Sequence, residues 1–552
     1  MLHNEPNVQV CDATKLNFYS AAWLKKKYYA KKAVSFLHLI LHLKLTAMKF
    51  KLPAFFFCIF VFSSFTYSQN GVGIFENQSD IGSIKLAGNA VYQARPQYYT
   101  IQGSGANIWG RHDGFHFVWR KLSGDFILRC SVSFDGKGVE EHRKIGWMVR
   151  SSLDSDAAYA DVAVHGNGLT SLQYRKTKGD TTQEVKSIVF MPETIELERK
   201  GNTYTMRVAQ TGEVFTSNEL KDIDLGNDVY VGLFVCSHNA SVSERAIFNN
   251  VRIVVPPKDG YTPYKDYIGS LLEVEDISTL NSTVIFQHLK SIQAPNWMPD
   301  GKRILYNGDG LLYTFDISTN KPTVLNTGSA TKNNNDHVIS FDGKMLAISN
   351  TPNGETASNV YTVPITGGEP ARITKTGPSY LHGWSPDGKS LVFVGQRNGD
   401  YDIYKIPSEG GDEEQLTKSA GLDDGCEYSP DGKYIYFNSV RSGAMQIWRM
   451  QPDGSNPEQL TNDTLYNWFP HISPDGKWIV FISFNRTEVK VDDHPFYKHV
   501  YIRKMPANGG EPEVVAYLYG GQGTINTPCW SPDGKRIAYI SNTDLLFDVF
   551  PK

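Results

Sequence analysis

Two hydrophobic patterns divide the chain. From about Asn70 to Val255, apolar and polar residues alternate at period two and are broken by glycine-containing turns. Phe115-His116-Phe117-Val118-Trp119-Arg120 and Tyr204-Thr205-Met206-Arg207-Val208 are examples. Alternation of this kind places successive side chains on opposite faces of a strand, one packed and one wet. No helical period interrupts these residues, so they predict a two-sheet, jelly-roll-like β-sandwich over 70–255. Pro256-Pro257-Lys258-Asp259-Gly260-Tyr261-Thr262-Pro263 breaks the pattern and predicts a linker over 256–267.

Beyond the linker the strands are shorter and tied to a repeated turn. Asp-Gly-Lys recurs at Asp300, Asp342, Asp387, Asp431, Asp475 and Asp533, with steps of 42, 45, 44, 44 and 58 residues. In the last four copies it is extended to Ser-Pro-Asp-Gly-Lys, beginning at Ser385, Ser429, Ser473 and Ser531. Glycine accepts a positive φ and aspartate bonds its own backbone, so Asp-Gly marks a tight turn. β-type runs such as Tyr434-Ile435-Tyr436-Phe437 and Trp478-Ile479-Val480-Phe481 follow the turns. A period of about 40–45 residues built from short strands is the pattern of propeller blades. Leu271–Thr279 matches Leu311–Thr319, the third-strand region of the first full blade, position by position. The strands over 271–287 are therefore expected to complete the last blade and close the ring, hiding edges that would otherwise aggregate.

These six turns resemble those of the TolB-like six-bladed β-propeller, a WD40-like repeat family, over residues 268–552. The resemblance implies the fold, and it implies an exported protein that engages protein partners. The N-terminal part is different, so a role in the Tol envelope system does not transfer. Within 75–255, Ile108-Trp109-Gly110, Leu122-Ser123-Gly124-Asp125-Phe126, Ile145-Gly146-Trp147-Met148-Val149-Arg150 and Phe248-Asn249-Asn250-Val251 resemble a concanavalin-like, laminin-G-like sandwich family. That resemblance implies an accessory module of secreted, carbohydrate-related proteins. Trp109, Trp119 and Trp147 are candidates to stack on a sugar ring or to fill the core. Arg150 is expected in a structural ion pair.

Composition changes the picture in two ways. Residues 1–68 carry nine lysines and two acids, so without them 46 basic and 56 acidic side chains leave a net charge near −10. Such a chain repels phosphate backbones, which excludes a nucleic-acid partner. Met48-Lys49-Phe50-Lys51 followed by the apolar run Leu52–Phe65 and Thr66-Tyr67-Ser68 reads as a signal peptide over 48–68. The run is too short for a transmembrane anchor, and residues 1–47 read as upstream sequence or an extension. An exported, periplasmic or extracellular monomer follows as the expectation. Cys130, Cys236, Cys426 and Cys529 are too few for a disulfide framework, though Cys130 and Cys236 share the sandwich and are candidates to pair.

In a propeller the innermost strand of each blade lines the channel, and the residues four or five before each Asp-Gly-Lys aspartate begin it. Those positions hold Pro295/Asn296, His337/Val338, His382/Gly383, Cys426/Glu427, Pro470/His471 and Pro528/Cys529. The loops of the same mouth carry Arg397, Arg441, the 485–498 insertion with Asp492 and His494, and the 520–527 loop with Gln522. Trp468, beside His471, offers a stacking surface. Three readings stay open. His337, His382 and His471 are candidate ligands for a divalent metal, although positions spread over several blades are hard to bring within metal–ligand bonds near 2 Å. Glu427 and His471 with the two arginines are candidates for a polar pocket, the arginines clamping a carboxylate and, in an enzyme, the pair Glu427 and His471 carrying catalysis. Or these are water-bonded channel groups. No Gly-x-Ser-x-Gly elbow, His-Glu-x-x-His, P-loop or EF-hand is present. The expected role is an exported protein holding a glycan or protein ligand at the channel mouth; the alternative is a polysaccharide lyase or glycosidase using the same mouth.

Overall fold

The computed structural model describes residues 72–262 and 265–546. The expected extension over 1–47 and the signal segment at 48–68 lie outside them. These described residues fall in one compact unit. Apart from the single 3-10 turn Gln522–Thr524, the described residues hold only strands and their connections. No helix among them is long and apolar enough to cross a membrane.

The alternating region folds into two seven-stranded antiparallel sheets. Tyr204, Met206 and Val208 turn inward and are buried, while Thr205 and Arg207 between them stay partly open. The inward faces of both sheets share one core, with Trp147 and Val231 from one sheet packed among Leu128 and Leu197 from the other. Trp147 is fully buried, Trp119 is half-buried with its Nε1 donating to Ser79 Oγ, and Trp109 is 43% exposed. Arg150 forms the expected ion pair, 3.0 Å from the buried Asp113, which Arg175 also contacts at 2.7 Å. Cys130 and Cys236 are free thiols. They do not pair because they point to different layers: Cys130 belongs to the shared core, whereas Cys236 packs with Phe115 and Phe234 on the outer face of its sheet.

The second region is a six-bladed propeller. Blades 1 to 5 are four-stranded sheets whose inner strands are Ile292–Trp297, Asn333–Ile339, Ser379–Trp384, Asp423–Tyr428 and Leu465–Ile472. Blade 6 is assembled from both ends of the ring. Arg536–Thr543 pairs with Gly269–Asp276, and Asn281–His288 lies outside that. The Trp530–Ile537 bridge adds the inner edge. The turn chemistry explains the repeat. Gly388 sits at φ 71°, the Gly388 N–H donates to Ser385 O, and Asp387 Oδ1 accepts from both Ser385 Oγ and the Lys389 N–H. Ser340, Ser429, Ser473 and Ser531 make the same hydroxyl bond to their own turn aspartates.

Charged groups join the two regions. Arg252 Nη2 lies 2.6 Å from Glu273 Oε2 on the closing strand. Glu196, fully buried at the end of its two arginines Arg129 and Arg207, also meets His499 of blade 5 at 3.1 Å. Burial opposes the charge on Glu196, yet His499 and the arginines bring its pKa down to about 2. Burial likewise works against the imidazolium, and Glu196 with Glu488 overcomes it, lifting His499 to about 9.

Candidate functional site

One end of the propeller opens into a cavity of about 1170 Å³. Its walls come from the starts of inner strands in blades 1 to 4, from the 485–498 insertion of blade 5, and from Tyr267 just before blade 6. The inner strands are not straight. Register shifts fall between Gln293 and Asn296, Asn333 and His337, Leu381 and Gly383, Asp424 and Glu427, and Trp468 and His471. A bulge re-aims the side chains beside it. Here Asp336, His382 and Asp424 are turned to the cavity by that break.

The floor is a segment of chain. Residues 521–528 leave blade 5 and cross the channel, touching three other places in the ring. Asn526 Nδ2 donates to Asp336 Oδ1 of blade 2 at 2.6 Å, Ile525 O meets His471 Nε2 of blade 5, and Pro528 O accepts from Asn296 Nδ2 of blade 1. Thr524, Ile525, Asn526 and Thr527 are all buried. The segment starts where only glycine fits: a Cβ on Gly521 would stand 2.2 Å from Pro495 O. The cavity is therefore a cup.

At its base Asp424 binds two imidazoles. Its Oδ1 lies 3.0 Å from His382 Nε2, its Oδ2 lies 2.9 Å from His494 Nε2, and the Gly425 N–H also donates to Oδ1. Burial works against the Asp424 charge, but hydrogen bonds from His382 and His494 outweigh it and hold the carboxyl well below the usual carboxylate range. Burial likewise disfavours charged His382; Asp424, with Asp336 and Glu427 farther off, more than compensates and raises its pKa. Asp336 moves the other way. Burial raises its pKa and the Asp424 charge adds to that, against the lowering by His382 and by the Asn334 and Asn526 amides.

The sequence-derived candidates separate. His382, Asp492, His494 and Gln522 line the cavity. Glu427 and His471 do not line it. They bond each other at 2.7 Å beneath the floor, with Trp530 Nε1 donating to His471 O. His337 is also off the cavity, fully buried, and burial pushes its pKa down to about 3. The expectation of one histidine level is corrected: His337, Glu427 and His471 are paired in their ladders with Ile348, Tyr436 and Val480, whereas His382 falls in the unpaired break between Leu381 and Gly383 and is the one turned to the cavity. Arg397 is held by Glu413 at 2.8 Å over Phe393 and Tyr404, and Arg441 by Asp423 at 2.8 Å over Phe437 and Trp448. Both arginines lock blades and do not face the cup. Trp468 is buried and packs its ring 4.9 Å from that of His494. Among the described residues, no group of three or more His, Cys, Asp or Glu is placed to hold a metal ion. The three histidines proposed as ligands stand apart, His382 being committed to Asp424.

Residues the sequence reading missed complete the walls. Tyr380 and Tyr401 lie with ring centroids 6.3 Å apart on blade 3. Tyr267 and Phe496 form a second pair, also 6.3 Å apart, at the junction of blades 5 and 6. In a ring of six, blade 3 stands opposite blade 6, so the two aromatic pairs lie on different sides of the cup. Asp336 and Asp424 were signalled by the polar runs Asn333-Asn334-Asn335-Asp336 and Asp423-Asp424 just before the positions examined for the channel.

Comparison with known proteins places this ring. Residues 375–500, which include His382, Asp424 and His494, match the TolB beta propeller domain. An uncharacterized protein of Agrobacterium fabrum, Atu1656, is 46% identical over 273 residues, which are 49% of this chain and 92% of that one. The chain belongs to the TolB-like β-propeller family. A solved structure from Agrobacterium tumefaciens, provisionally named TolB, is 44% identical and matches with a TM-score of 0.48, covering 51% of this chain and all of that one. The Tol-Pal system protein TolB of Bordetella pertussis is 30% identical over 147 residues, 26% of this chain and 33% of that protein. This TolB-like chain thus spans about a third of the length of the Tol-Pal relatives it matches. The likeness of the TolB-like ring does not itself name a ligand.

Proposed function

We propose that the protein is an exported envelope binding protein whose propeller mouth holds a glycan. The observation that carries this reading is the cup of about 1170 Å³ lined by two aromatic pairs from different blades. Flat rings present faces for the C–H-rich sides of sugar rings. Amides such as Gln293, Asn334 and Gln522 line the space between them and suit hydroxyl groups. The TolB-like kinship and the apolar run expected to be a signal peptide at 48–68 support an envelope location. In the same reading, 70–255 is a concanavalin-like, laminin-G-like accessory module, joined by a linker at 256–267 to a propeller over 268–552. A glycan array probed with the full chain and with Tyr380→Ala tests it. Retained glycans whose signal drops in the variant are expected; an array with no binding sinks the glycan reading.

A polysaccharide-cleaving enzyme is the second reading, and one observation favours it. Asp336 and Asp424 share the base of the cup with pKa values displaced in opposite directions, as an acid and a base must be. Release of new reducing ends from a bound glycan, abolished in Asp336→Asn, would establish it. Bound glycan recovered intact would leave the binding protein.

A further inference from the structure

We propose that the two-sheet region and the propeller are latched by a proton: Glu275, on the strand that closes the ring, is a neutral carboxylic acid, and losing its proton loosens the junction.

The direction of the hydrogen bonds is the first argument. Arg252 Nη2 lies 2.6 Å from Glu273 Oε2, so Glu273 is an ionised partner that only accepts. Ser282 Oγ donates to the same oxygen at 2.8 Å, which commits its one hydrogen. Tyr539 stands 2.8 Å from Ser282 Oγ, and the hydrogen of that bond must be the tyrosine's. The longer contact of Tyr539 with Glu273 Oε2, at 3.4 Å, calls on the same hydrogen. Tyr539 is left with only a lone pair for Glu275 Oε2, 3.3 Å away, so the hydrogen of this last contact belongs to Glu275. Glu275 Oε1 has no hydrogen-bond partner in the protein. Ionised, the buried Glu275 would be a carboxylate with no donor on either oxygen. Protonated, it leaves one acceptor unmet, which costs far less than a stranded charge.

The surrounding charges are the second. Both arginines near Glu275 are taken, Arg252 by Glu273 and Arg129 by Glu196 at 3.2 Å. The other charged groups facing it are acids: Glu273 and Asp276 on its own strand and Glu193 across the junction, with Tyr539 and Tyr517 as neutral neighbours. Burial, the largest influence, pushes the Glu275 carboxyl well above its ordinary range, and the Glu273 and Asp276 charges add to it.

Position is the third. Glu275 lines a cavity of about 340 Å³ between the two-sheet region and the outer strands of blades 5 and 6. The chain of bonds from Glu275 through Tyr539, Ser282 and Glu273 ends on Arg252, which belongs to the sheets. Beside it, Asn250 of the sheets grips the outermost strand of blade 6, accepting from the Ser282 N–H and donating to Leu280 O, both at 2.8 Å. An ionised Glu275 repels Glu273 and the Tyr539 lone pair. The cavity gives it room to turn away and admits the water that its charge requires, parting the chain that joins ring to sheets.

Difference infrared spectra of the full chain at neutral pH, wild type minus Glu275→Gln, test the proton. A carboxylic-acid C=O band is expected in the wild type and missing in the variant, whose amide still donates to Tyr539. Tyr539→Phe should move that band to higher wavenumber because its hydrogen-bond acceptor is gone, a comparison that needs only the wild type beside it. No band, or a band that Tyr539→Phe leaves in place, would overturn the proposal. Hydrogen–deuterium exchange of peptides covering 249–254 and 269–288, corrected for the intrinsic rate, tests the latch. The contribution of Glu275 is full below about 4.3 and is lost as pH rises through its raised folded value. While the band persists, wild-type protection relative to Glu275→Gln should fall about tenfold per pH unit. A ratio that stays constant with pH would overturn the latch.

Discussion

His382 Nε2 and Asp424 Oδ1 meet at 3.0 Å on the floor of the propeller cup, each nearly shut off from solvent. The pair is made by adjacent blades. His382 comes from the inner strand of blade 3 and Asp424 from that of blade 4. Each is aimed by the break in its strand, so the geometry belongs to the assembled ring and not to a local segment. Replacing Asp424 by Asn removes the charge that supports the imidazolium while leaving His382 buried. Proton titration of the His382 ring by NMR should then move from above its ordinary value to below it. Stability should fall by about 3–5 kcal/mol, the cost of stranding one partner of a buried pair. An unchanged His382 titration would contradict the assignment.

The same pair sets a pH window. His382 is raised in the folded state, so its contribution is full below about 6.5 and is lost as pH rises through its folded pKa. Asp424 is depressed, so its contribution is full above about 3.9 and is lost as pH falls. Melting temperature against pH should therefore show a plateau bounded on both sides. Asp424→Asn should make both shoulders shallower by the share that this pair contributes.

A second titration reports the junction between the two-sheet region and the propeller. His499, at about 9, stabilises most below about 6.5, and that contribution disappears as pH climbs past 9. Its size is on the order of 3 kcal/mol. His499→Gln should remove the part of the alkaline dependence near pH 9 and leave the part due to His382, with ligand binding untouched, because Glu196 and His499 lie outside the cup. A wild-type alkaline profile in this variant would show that the contact does not hold the regions together.

Arg441 and Arg397 give a prediction of opposite kind. Each is clasped by a carboxylate and stacked on two rings. Arg441→Ala should lower stability by roughly 1–3 kcal/mol through lost packing and an unpaired Asp423. Its affinity for the glycan should match wild type. Lost affinity with unchanged melting would put the arginine back at the ligand.

The legibility of the sequence was uneven, for physical reasons. The Asp-Gly-Lys turns and the blade-6 strands were readable because both are local: a glycine at positive φ and a short apolar run announce themselves over five to nine residues. The cup was harder. His382, Asp492, His494 and Gln522 were found by counting back from the turns or by loop position. Asp336 and Asp424 were missed because that count assumes strict alternation, and every inner strand from blade 1 to blade 5 breaks register at the point of interest. Arg397 and Arg441 looked like ligand clamps because Glu413 and Asp423, which hold them, lie sixteen and eighteen residues away along the chain. Tyr267 was hidden because it precedes the first propeller strand and reaches the mouth only when the ring closes.

Hydrogen–deuterium exchange of the full chain, with and without a glycan taken from the array, tests the central claim most directly. The account predicts protection confined to peptides covering Tyr380, Tyr401 and the Asp492–Phe496 stretch, with the sheets around Trp109 unchanged. Protection around Trp109 with none at the propeller mouth would contradict it and move the ligand site to the N-terminal sheets.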